Sequence, residues 1–108
     1  RRAGVVFAAM RDKDIDGIVR VLAGGMEIAS VHVCTLDQPR AAEAAELARI
    51  WAAHGCCSVN TAKSLDDALE AAVHAAGRDG VVLGCGSLFL VGPFRRWFES
   101  RATEILLE

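Results

Sequence analysis

The sequence predicts an α/β protein: a Rossmann-like, doubly wound parallel sheet of about four strands with helices on both faces. Three observations predict it. Short apolar runs alternate with segments whose apolar residues recur at helical spacing. The run at 5–10 is continuous instead of alternating with polar residues, which is the pattern of a strand covered on both faces. The 108 residues suffice for one domain, spanning 1–108, that buries roughly 65% of the surface its unfolded form exposes.

The first strand is read at 5–10, an unbroken apolar run, and Ile15, Ile18, Val19 and Leu22 follow at helical spacing until Gly24-Gly25 stops them. The second strand is read at 28–34. Pro39 is placed as the first residue of the next helix, which carries Leu47, Ile50, Trp51 and His54 on one side and ends at Gly55. A short strand at 56–59 leads to Ser64-Leu-Asp-Asp67, a capping box. The helix it opens has the stripe Leu65, Ala68, Leu69, Ala72, Val73 and Ala76, closed by Gly77. A fourth strand at 81–85 precedes a last helix from Leu88 to about Ala102, whose start Gly92-Pro93 should make irregular.

Right-handed crossovers restrict such a chain to a few strand orders, and 3-2-1-4 is the order expected. It puts the switch point between the first and fourth strands, so the turns at 10–14 and 84–88 flank one crevice at the carboxyl edge. The formal charge of -2, with basic residues scattered except for Arg95-Arg96, leaves no footprint for nucleic acid. No apolar run approaches the ~20 residues of a membrane span, and no signal peptide opens the chain, so a cytoplasmic location is expected. Cys34, Cys56, Cys57 and Cys85 form no C-x-x-C pair and are expected buried and reduced.

Asp12-Lys-Asp14-Ile-Asp16-Gly17 resembles the opening of a calcium loop, but the position of its bidentate glutamate is Ala23, so no metal is assigned. Asp12 or Asp14 as a helix cap explains the acidic residues. Lys13 is left over, because a cation beside a helix start is poorly placed, and it is a candidate contact for an anion. Gly84-x-Gly86-Ser87 lacks the third glycine of the dinucleotide fingerprint, yet it allows close approach of a ligand, with Ser87 capping the helix. Ser87 has no trailing glycine or histidine partner that would make it a nucleophile. His32, His54 and His74 read as structural or surface residues, and no catalytic residue is assigned.

Val-Val-Phe-Ala-Ala-Met-Arg-Asp-Lys-Asp-Ile-Asp-Gly-Ile-Val at 5–19, Pro39-Arg40-Ala41, and Gly86-Ser-Leu-Phe-Leu-Val-Gly92 stand in an order and spacing that resemble the C-terminal domain of folylpolyglutamate synthase / dihydrofolate synthase, of the Mur ligase superfamily. The resemblance covers about residues 4–100. It implies an ATP-dependent ligase that joins L-glutamate to folate or dihydropteroate through an acyl phosphate. It implies positioning roles for Lys13, Asp14, Arg40, Gly86 and Ser87 toward substrate or nucleotide. ATP and Mg2+ would be bound mainly outside this chain, by an upstream ATPase domain of the same polypeptide.

The family's phosphate loop, G-x-x-x-x-G-K-[ST], and its Asp-Gly-Ala-His-Asn-Pro segment do not occur here. The expectation is therefore a domain of a longer enzyme, beginning inside its own domain and inactive when isolated. The competing readings are a stand-alone α/β module that binds a small anionic metabolite without turnover, and an interaction domain built on the last helix.

Overall fold

The computed structural model describes residues 3–55, 57–77 and 80–107. Among them strands and helices alternate: β1 (Ala3–Phe7), α1 (Ile15–Gly25), β2 (Ile28–Val33), α2 (Ala44–His54), β3 (Ser58–Thr61), α3 (Leu65–Ala76), β4 (Val81–Cys85) and α4 (Val91–Leu107), the last entered through a 3-10 turn at Leu88–Leu90. The strands pair in parallel, in the order β3-β2-β1-β4 anticipated from the sequence. Cys56, expected at the start of the third strand, lies outside the described residues, and β3 begins at Ser58.

All of β1 is buried, and its successive side chains serve two cores. Val5 and Phe7 join Ile15 and Val19 of α1 and Leu47 and Trp51 of α2, while Val6 and Ala8 join Ala68, Leu69 and Ala72 of α3 and Leu90. Phe7 meets Trp51 edge to face, with ring centroids 5.4 Å apart. Both rings are fully enclosed, and each such burial stabilises by about 1.5–3 kcal/mol. On the opposite face a Cβ at Gly4 would collide with the carbonyl oxygen of Ala72, and one at Gly84 with the Phe94 ring. The two glycines let α3 and α4 lie directly on the sheet.

The helix ends follow local chemistry. The Ser64 hydroxyl accepts the Asp67 amide at 3.1 Å and opens α3, as the capping pattern predicts. Gly55 closes α2 at φ 63°, the left-handed conformation that favours glycine. Pro93 is the third residue of α4, where its missing N–H has no helical acceptor to lose. The irregularity expected near it falls in the 3-10 turn just ahead.

The structure departs from expectation at the start of α2, at the end of β1 and at Val73. α2 starts at Ala44, not Pro39, because the backbone of 40–42 is used elsewhere: Arg40 O accepts Arg11 N at 2.8 Å and Ala42 N donates to Ala9 O at 2.9 Å. These bonds form an isolated antiparallel bridge, Met10 to Ala41. The same bridge ends the regular part of the first strand at Phe7 instead of Met10. Glu43 offers no side-chain cap, and the Thr35 hydroxyl accepts the Ala44 amide at 2.9 Å in its place. Val73, expected in the α3 core stripe, is 38% exposed, because it points away from the sheet while Ala68, Leu69 and Ala72 face it.

Candidate functional site

The chain leaves β1 toward β2 on one side and arrives at β4 by a crossover on the other, so strand order reverses between β1 and β4. An open crevice of about 540 Å³ lies there, between the loop after β1 and the turn after β4. Met10, Ile18 and Phe89 form its apolar walls, Gly86 and Ser87 its floor on the β4 side, and Lys13 supplies its cation. Lys13 is exposed and makes no ion pair among the described residues.

The β4 side is shaped by Gly86, whose φ is 106°. A Cβ there would fall on the carbonyl oxygen of Ala8. This residue therefore sets how closely the turn after β4 approaches the exit of β1. Ser87 then caps the 3-10 turn, its hydroxyl accepting the Phe89 amide at 3.2 Å and its carbonyl accepting Leu90 N at 3.2 Å. Leu90 is buried, and the turn leaves Phe89 53% exposed.

A family model, "Mur ligase, glutamate ligase domain", matches residues 1–88. The chain belongs to this Mur ligase family. No curated protein matches it. Among solved structures, Escherichia coli FolC in complex with ADP, without folate substrate, superposes with a TM-score of 0.75 at 25% identity, over 92% of this chain and 23% of that one. FolC in complex with DHPP and ADP gives 0.75 at 25% identity, over 91% of this chain and 22% of that one. Folylpolyglutamate synthase of Mycobacterium tuberculosis complexed with ADP and AMPPCP gives 0.69 at 28% identity, over 87% and 23%. The chain thus spans about a quarter of the length of these ligases, and it has the fold of their C-terminal domain.

In this Mur ligase domain the residues singled out from the sequence are brought to one sheet edge but not all to one cavity. Lys13, Gly86 and Ser87 line the crevice; Asp14 and Arg40 do not. The Asp14 carboxylate caps α1, accepting the Gly17 amide at 3.1 Å. Arg40 lies across the bridge from the 10–14 loop and approaches Asp12 at 3.7 Å, both side chains at least half exposed. Such a pair contributes less than about 1 kcal/mol, so Arg40 is free to exchange it for a ligand. Phe89 escaped the sequence reading because 88–91 scans as one apolar stretch. Its only signal is that a three-residue 3-10 turn cannot bury every side chain it carries.

The remaining reactive groups are held quiet. Burial raises the Cys34 and Cys85 thiols to about 11, which suppresses the thiolate at neutral pH. Cys34 is buried as expected, Cys85 only partly so, and neither forms a disulfide. His54 Nε2 lies 3.1 Å from Asp16, whose other oxygen meets Arg20 at 2.7 Å. No group of three His, Cys, Asp or Glu able to hold a metal occurs among the described residues, and no described helix is long and apolar enough to cross a membrane. The crevice fits contact with an anionic group through Lys13 and Ser87, and it has no carboxylate cage for a divalent ion.

Proposed function

We propose that the chain is the closing domain of an ATP-dependent amide ligase of the folylpolyglutamate synthase / dihydrofolate synthase type. In that reaction ATP phosphorylates a carboxylate of folate or dihydropteroate, and the amine of L-glutamate displaces phosphate from the acyl phosphate, so that the amide, ADP and phosphate are the products. The observation that carries the reading is the crevice of Lys13, Gly86 and Ser87 at the strand-order reversal of a Mur ligase domain.

In this reading ATP and Mg2+, which supply the phosphoryl group and neutralise its charge, bind mainly to an upstream ATPase domain of the same cytoplasmic polypeptide. Lys13 presents an ammonium to the anionic reactants, and Ser87 and its turn present hydroxyl and amide hydrogen-bonding groups. Gly86 sets the width of the site. Asp14 holds the Lys13 loop at the start of α1, and Arg40 supplies a second cation when the domains close. These are positioning roles, and none of the five residues is assigned a chemical step.

The test is the coding sequence upstream of Arg1 together with activity. The reading expects about 300 further residues carrying a phosphate loop, amide-forming activity in the whole polypeptide, and none in the 108-residue chain given ATP, glutamate and folate. Replacement of Lys13 or Ser87 by alanine in the whole polypeptide should raise KM for ATP or glutamate about tenfold. A native start at Arg1, with tight binding of a small anion by the chain alone, would replace this reading with that of a stand-alone binding module.

A further inference from the structure

We propose that the chain carries a second ligand site, separate from the carboxyl-edge crevice, in the polar groove between α3 and the β2–β3 edge, and that its ligand is a free amino acid with a polar side chain. The argument starts from the sheet. On the α3 face β1 presents Val6 and Ala8, but β2 presents Ser30 and His32. Ser30 is the register partner of Ser58, and His32 of Asn60, so four polar side chains form a two-by-two array. Each strand pairs its own two: Ser30 Oγ lies 2.7 Å from His32 Nε2, and Asn60 Nδ2 donates to Ser58 Oγ at 3.4 Å.

A sheet face under a helix is ordinarily closed by aliphatic side chains. Here α3 offers Ala71 and Ala75 above the array, which are too short to reach it, and an open groove of about 710 Å³ results. His32 is 5% exposed, and burial lowers its pKa, so the ring is neutral with one donor and one acceptor nitrogen. Nε2 is used by Ser30. Nδ1 has no partner among the described residues and opens onto the groove. That nitrogen is accessible from the groove, where a ligand can take the place of water on it.

The groove's charged groups narrow the ligand class. Lys63, which follows β3, and Asp67, in the first turn of α3, both line it, and neither makes an ion pair among the described residues. One suits a carboxylate and the other an ammonium. The described lining contains no Phe, Tyr or Trp to stack a base, and a single lysine opposed by an aspartate is a poor phosphate site. A zwitterion fits, with its polar side chain on His32 and Asn60.

The test is an NMR titration of the isotopically labelled 108-residue chain with each proteinogenic amino acid, and with ribose and inorganic phosphate. It follows the His32 ring nitrogens and the Asn60 side-chain amide. The expected result is a saturable shift of both with at least one polar amino acid, weakened about tenfold or more by Ala71→Leu, which fills the groove from α3, and by Lys63→Met on the surface. Both substitutions are at exposed positions, so the fold survives them. No shift with any amino acid, a shift unchanged in both variants, or saturation by ribose or phosphate instead would overturn the proposal.

Discussion

The Asp14 carboxylate accepts the Gly17 amide at 3.1 Å, and a Cβ on Gly17 would collide with that same carboxylate. Cap and glycine are therefore one device for starting α1 directly after the Lys13 loop. Asp14→Ala should cost about 1 kcal/mol and Asp14→Asn much less, since asparagine caps as well. Gly17→Ala should cost more than its helix propensity suggests, because it displaces the cap. Urea unfolding of the three variants checks the order.

Gly86→Ala should destabilise by about 1–3 kcal/mol, from a backbone conformation with φ 106° and from contact with the Ala8 carbonyl. Gly24→Ala serves as the control, because a Cβ there meets nothing within 4 Å, and it should be neutral or stabilising. Equal unfolding midpoints for the two variants would refute this account of the turn.

Lys13→Ala and Phe89→Ala should leave stability within about 0.5 kcal/mol of the parent, since both side chains are exposed. Their effect should appear in ligand affinity alone. Thermal unfolding of the chain and KM measurements in the whole polypeptide separate the two quantities.

Acid should weaken the fold through His32. Its pKa is lowered by burial, so the unfolded chain takes up the proton first, and stability present above pH 6.5 is lost as pH falls below that value. Ser30, Asn60, Lys63, Asp67 and His74 surround the same groove, and no carboxylate among the described residues contacts the ring. His32→Gln should flatten the pH dependence of the urea midpoint between pH 6.5 and 5, after allowance for its own loss of stability.

The strand order was legible because four apolar runs separated by helical patterns leave few right-handed arrangements, and the Ser64 cap was legible because it is local. Long-range competition was not. Pro39 suits a first helical turn, but the hydrogen bonds of residues 40–42 to 9–11 take that backbone, and α2 waits for the Thr35 hydroxyl. Lys13, Gly86 and Ser87 could be placed together because the switch point depends only on order. Phe89 could not, since which side of a short turn faces water depends on what packs beneath it, here Leu90.

The Met10–Ala41 bridge ties the exit of the first strand to that of the second. Each exit loop is thereby a splint for the other. Neither can gain or lose a residue alone without unfastening the pair. The two backbone hydrogen bonds of the bridge thereby fix the spacing between the loop that carries Lys13 and the one that carries Arg40.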